Sequence, residues 1–140
     1  MTGYSGTALP KKLGIKPGFR AYLVRVPPQV RSELGSELAA CTIAPNLKTP
    51  VDFALLLATS RKQLARECIR VARALAPAGM LWVGWPKKVS KVPSDLDENR
   101  VREIGLAEGL VDVKVCAISE IWSGLKFVRR VKDRKKVQKK

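Results

Sequence analysis

The sequence predicts an α/β fold: a mostly parallel sheet with helices on both faces, closed by a C-terminal antiparallel hairpin, three layers in all. Three observations predict it. Val51 to Ala58 is apolar apart from Asp52, as expected of a central strand buried on both faces. The segment after it is amphipathic at helical spacing, with Leu64, Cys68, Val71, Ala72 and Leu75 inside an arc of about 100°. Met80 to Trp85 is a second apolar run. Strand, helix and strand in that order make a parallel crossover, right-handed by the usual chirality of such units.

The remaining elements follow in order. Thr7 to Leu13 reads as a short helix stopped by Gly14, and Lys16-Pro17-Gly18 as a turn. Phe19 to Val26 is a strand ended by Pro27-Pro28, which remove two backbone donors. Gln29 to Ala40 is weakly helical, with Val30, Leu34 and Leu38 spaced by four, and Cys41 to Ala44 is a short strand. Ser60 followed by Gln63 matches a capping box, so the central helix starts there and runs to about Ala76, before Pro77-Ala78-Gly79. Pro86 to Pro93 is a basic loop. Ser94 is expected to cap the helix from Asp95 to about Glu108, and Gly109 stops it. Val111 to Ile118 and Leu125 to Val131 pair as an antiparallel hairpin, placing an antiparallel strand at one edge of the sheet.

The chain of 140 residues is expected to form one domain over residues 1–131, with the N-terminal segment 1–18 packed on it. Residues 132–140 are expected to be a disordered basic tail. The longest uninterrupted apolar run is six residues, too short for a membrane span, and the N-terminus lacks a signal-peptide pattern. A soluble cytoplasmic protein without membrane contact is the expectation. Histidine is absent, which removes imidazole-based triads and Cys/His zinc sites. Cys41, Cys68 and Cys116 form no C-x-x-C pair and are expected to be reduced, buried thiols; no metal site is expected.

This is a three-layer Rossmann-like layout. The stretch Leu64-Ala65-Arg66 through Ala74-Leu75-Ala76-Pro77-Ala78-Gly79-Met80-Leu81-Trp82-Val83 resembles the helix–turn–strand segment of class I methyltransferases, and the closing hairpin is similar to theirs. A narrower resemblance covers the chain to about Arg130. Met1-Thr2-Gly3-Tyr4-Ser5-Gly6-Thr7, Lys11-Lys12-Leu13-Gly14-Ile15-Lys16-Pro17-Gly18, Trp85-Pro86-Lys87-Lys88, Gly109-Leu110-Val111-Asp112-Val113-Lys114-Val115-Cys116-Ala117 and Trp122-Ser123-Gly124-Leu125 resemble the bacterial family called domain of unknown function 3052. That resemblance implies a small methyltransferase-like protein without a settled activity, and it supplies no catalytic residues.

A methyltransferase's first strand ends in a glycine-rich turn whose amides approach the cofactor. Here the turn is Arg25-Val26-Pro27-Pro28-Gln29-Val30, without glycine, and Pro45-Asn46 stands where an acidic residue follows the next strand. No cofactor is therefore expected, and S-adenosylmethionine (SAM) or a dinucleotide is not expected in the usual pose. The candidate crevice beyond the strands' carboxyl ends holds Thr59, Ser60, Trp85, Lys87 and Lys88. A helix N-terminus with two lysines suits an anion, and Trp85 suits stacking on a planar group, unless these residues only cap and pack.

The net charge of +15 favours anionic contacts. Lys62, Arg66, Arg70 and Arg73 fall within about 80° on the central helix, with only Glu67 near enough to moderate them. Arg134, Lys135 and Lys136 extend the basic surface into the tail. Nucleic acid or an acidic protein is the expected partner class. Taken together, the sequence is expected to encode a non-catalytic binding or regulatory module, with the balance against an enzyme. Two alternatives stand beside that: polyanion binding through the basic helix face and tail, and an enzyme acting on a small anionic substrate in the crevice.

Overall fold

The computed structural model describes residues 7–138, with side chains described through Arg134. The opening Gly3-Tyr4-Ser5-Gly6 lies outside the described residues. The elements run α1 (Leu9–Leu13), β1 (Arg20–Val24), α2 (Pro28–Ala39), β2 (Thr42–Ile43), β3 (Val51–Leu57), α3 (Arg61–Ala74), β4 (Leu75–Pro86), α4 (Glu98–Ala107), β5 (Leu110–Ala117), β6 (Trp122–Arg129) and α5 (Val131–Gln138). Six strands form one sheet in the order β2-β1-β3-β4-β6-β5. The first four pair in parallel, and β6 pairs antiparallel with both β4 and β5. The fold is the methyltransferase-like α/β architecture.

Side chains of β3 divide between two cores. Phe53, Leu55 and Leu57 join Leu13, Leu34 and Trp82 beneath α1 and α2, while Ala54, Leu56 and Ala58 join Leu64, Cys68, Val83 and Phe127 beneath α3 and α4. Each fully buried Leu or Phe contributes about 1.5–3 kcal/mol. From the N-terminal segment, Leu9, Leu13 and Ile15 are buried, and Trp82 Nε1 donates to Leu13 O at 2.8 Å. Among the described residues no helix is long and apolar enough to cross a membrane.

Several elements differ from the sequence expectation. The antiparallel strand is not at the edge: β6 is inserted between β4 and β5, because its Leu125 and Phe127 are fully buried whereas Val113 and Val115 of β5 are half exposed. The central helix ends at Ala74 and the next strand already starts at Leu75. Pro77 disfavours helical backbone just before it, and the Arg129 guanidinium takes the carbonyls of Ala72 (2.6 Å) and Leu75 (2.7 Å) at the helix end. Asp97, not Ser94, caps α4, accepting the Arg100 N–H at 2.9 Å. Ser94 Oγ donates instead to Thr59 O at 2.8 Å, holding the loop to the end of β3. Residues 131–138 form helix α5 where a tail without regular structure was expected. Lys, Arg and Gln are good helix formers, and Asp133 sits favourably in the first turn.

Helix α4 approaches β6 closely at Gly105, where an added Cβ would meet the Phe127 ring at under 3 Å. Arg102 then ties α4 to β5, donating to Asp112 at 2.9 Å and to Glu98 at 2.6 Å. Gly105→Ala is expected to cost about 1–3 kcal/mol through overpacking, despite alanine's better helix propensity, read by urea unfolding. The Arg102 hydrogen bond holds the Asp112 carboxyl below the usual carboxylate range. That stability is present above the ordinary carboxylate pKa and is lost as pH falls through the lowered one. Asp112→Asn is therefore expected to flatten the acid limb of the stability–pH curve, leaving less stability at pH 7 than in the parent chain.

Candidate functional site

The chain passes from β1 to β2 on one side and then from β2 to β3 on the other, so the topological switch lies between β1 and β3. Ligands of open α/β sheets bind beyond the strand ends at such a point. Here β1 ends at Val24 and the chain turns at Arg25, a non-glycine residue with φ of 57°. Pro27 then stands at the N-cap and Pro28 at the first position of α2, so neither offers an N–H; the Pro27 carbonyl accepts from Val30 and Arg31.

Arg25 spans the switch. Its Nε donates to Leu57 O at the end of β3 (2.9 Å), and its two terminal nitrogens meet Glu67 of α3 in a bidentate pair at 2.7 and 2.5 Å. The side chains are 38% and 21% exposed, so the pair is accessible to water and to solutes. No sequence motif announces this contact, which joins residues 42 apart. An arginine two residues before Pro27-Pro28 is the one signal available.

The neighbouring α3 N-terminus is satisfied by the chain itself. Ser60 Oγ accepts the Gln63 N–H at 3.2 Å, as the capping box predicts. Asp95 Oδ1 accepts the Arg61 N–H at 2.7 Å, and Thr59 O accepts from Ser94 Oγ and the Asp95 N–H. A carboxylate of the β4–α4 loop thus occupies the place offered by the sequence as a candidate site for an external anion. Beside it lies an open cavity of about 620 Å³ lined by Ser60, Arg61, Lys62, Ala65, Asp95 and Ile104.

The other crevice residues are not gathered there. Trp85 is buried among the residues beneath α3 and α4, so its ring packs and is not presented for stacking. The Lys87 N–H donates to Ile121 O at 2.8 Å, across the end of the sheet, and Lys88 is exposed. Lys88 lies close enough to Asp97 to contribute to its lowered carboxyl pKa, which the Arg100 N–H bond dominates. At the end of β2, Asn46 accepts the Lys48 N–H at 3.0 Å, and no acidic residue stands in the segment Ala44-Pro45-Asn46.

On α3, Lys62, Arg66, Arg70 and Arg73 are all exposed. Glu67, expected to moderate them, is engaged by Arg25. Arg134 donates to Arg129 O at 3.2–3.3 Å at the start of α5; the side chains of Lys135 and Lys136 lie outside what is described. Among the described residues no cluster of ligating side chains could hold a metal ion. Only Cys68 is buried, its thiol pushed up to about 12 by desolvation; Cys41 and Cys116 are partly exposed, which corrects the expectation of three buried thiols.

The fold is shared with SAM-dependent methyltransferases. The chain is similar to a Synechocystis magnesium protoporphyrin IX methyltransferase with bound SAM, with a TM-score of 0.58, 12% identity, 88% of this chain covered and 76% of that one. For a SAM-dependent methyltransferase from Aquifex aeolicus the values are 0.57, 15%, 84% and 85%. For a protein described as a pericyclic reaction enzyme they are 0.53, 13%, 87% and 39%. No protein-family model and no curated protein matches the chain. These findings overturn two expectations, the non-catalytic module and the balance against an enzyme, because the matching folds are those of catalytic methyltransferases. Nor do they favour the polyanion-binding alternative.

Arg25 adopts a left-handed conformation that glycine takes without cost, so Arg25→Gly relieves backbone strain while losing the ion pair. Arg25→Ala loses the pair and keeps the strain. Chemical denaturation is expected to find Arg25→Gly more stable than Arg25→Ala by about 1 kcal/mol.

Proposed function

We propose that this chain is a SAM-dependent methyltransferase working at the carboxyl edge between β1 and β3. The observation that carries the reading is the topology: a switch point between β1 and β3 and an antiparallel β6 inserted next to the edge, in a fold similar to SAM-bound methyltransferases.

The residues at that edge do not fit the donor in its usual pose. Pro27 and Pro28 present no amides, the Arg25 side chain stands where a bare glycine turn would admit a ligand, and no carboxylate follows β2. A donor held here meets charged side chains in place of glycine amides. The Arg25 guanidinium and Glu67 carboxylate complement the carboxylate and ammonium of a donor that carries an amino-acid group.

The exposed cations of α3 support an acidic protein as the methyl acceptor, since Lys62 belongs both to that stripe and to the cavity at Ser60. The strings that resemble the domain of unknown function 3052 support membership of that bacterial family. Three unpaired thiols support a reducing, cytoplasmic setting.

Calorimetry and thermal unfolding with S-adenosylhomocysteine test the reading. Stoichiometric binding with a raised Tm is expected, weakened about tenfold in Glu67→Ala, which corresponds to roughly 1.4 kcal/mol. The absence of both heat and Tm shift at millimolar ligand would overturn it.

A further inference from the structure

A second feature lies on the other face of the sheet, beneath α1. Lys114 of β5 and Lys126 of β6 are directly opposed in antiparallel register. Like charges so placed destabilise a strand pair, whereas opposite charges stabilise one. The Lys114 ammonium donates to Lys12 O at the end of α1, 3.2 Å away. That of Lys126 is tucked under the same helix end, 4.0 Å from where a Cβ on Gly14 would stand, and the side chain is half-buried.

Burial and the charge of Lys114 together hold the Lys126 amine below the ordinary lysine range. The charges of Lys12 and Lys114 also reach the Cys116 thiol on this face, opposing the effect of its burial. Among the described residues neither Lys114 nor Lys126 has a carboxylate within ion-pair distance, and residues 1–6 contain no Asp or Glu. The strand pair therefore tolerates an electrostatic cost that the described carboxylates leave uncompensated.

We infer that Lys114 and Lys126 form a binding site for a small phosphate-class anion on the α1 face of the sheet. Two opposed ammonium groups suit an ion with more than one negative charge and oxygens on several sides. A single carboxylate neutralises only one of them, and its flat geometry is better matched by arginine. Lys114 is exposed, and the half-burial of Lys126 beneath α1 strengthens its attraction for an anion relative to open water. The site shares no residue with the β1–β3 edge and stands independently of the proposed donor.

Thermal unfolding of the full chain at fixed ionic strength, in inorganic pyrophosphate against sodium chloride, tests the site. Pyrophosphate at about 10 mM is expected to raise Tm by about 3 °C over chloride. In Lys126→Met the chloride Tm is expected to equal or exceed that of the parent, and the pyrophosphate increment to vanish. Arg70→Ala, on the opposite layer, is expected to keep the full increment. An increment undiminished in Lys126→Met, or lost equally in Arg70→Ala, overturns the inference. Should Lys126→Met fail to fold, amine acylation of the parent chain followed by mass spectrometry decides. Pyrophosphate is expected to protect Lys126 at least about threefold while leaving Lys62 unchanged; equal protection of both overturns the site.

Discussion

A strand with no exposed face constrains everything attached to it, and β3 is such a strand. Phe53, Leu55 and Leu57 need cover on one side, Ala54 and Leu56 on the other, and all five are fully shielded or nearly so. Two helical layers are then obligatory. Because α3 must return over one face to start β4 parallel to β3, and α2 must lie on the other, β1 and β3 part company at their carboxyl ends. Asp52, the one polar residue of β3, faces the opposite end, where it accepts the Arg20 N–H at 2.8 Å. The position of the candidate edge thus follows from burial in the middle of the sheet, before any functional side chain is considered.

Polar side chains, two of them charged, then finish that edge from a distance. Leu57 O, Thr59 O and the Arg61 N–H would otherwise be open ends of strand and helix; Arg25, Ser94 and Asp95 satisfy them. The contrast with a glycine cradle is energetic. Bare amides form a permanent, pre-formed donor set, whereas a partly exposed ion pair contributes only about 0–1 kcal/mol net. Separating Arg25 from Glu67 costs little when a ligand offers each an equivalent partner, so the edge is closed without being sealed.

The parts of this arrangement that sequence reveals are those written in local periodicity. The β3–α3–β4 unit was legible because burial on two faces leaves an apolar run and burial on one leaves a helical stripe, and the Ser60–Gln63 cap because its partners are three residues apart. Contacts set by tertiary geometry were not. Ser94 and Asp97 are equally good caps in isolation, and Thr59 O decides between them by drawing Ser94 away. For Trp85 the sequence leaves stacking and packing both open, and the shelter of the layer carrying α3 and α4 decides for packing. Arg25 and Glu67 meet across 42 residues, and the placement of β6 inside β5 depends on which strand has the deeper apolar face.

Net charge alone does not distinguish the two cationic features of the molecule; their surroundings do. The α3 cations are spread along a helix in open water, where their mutual repulsion is screened beyond a Debye length of about 8 Å and where such charge is cheap to keep. The strand register sets the backbones of Lys114 and Lys126 opposite one another, and the second side chain is half covered by the end of α1. Water and salt screen the repulsion less at the half-buried Lys126, whose ammonium lies against the end of α1. The fold tolerates the strip on α3 at almost no cost but must oppose the lysine pair directly, and it does so without any described carboxylate beside it.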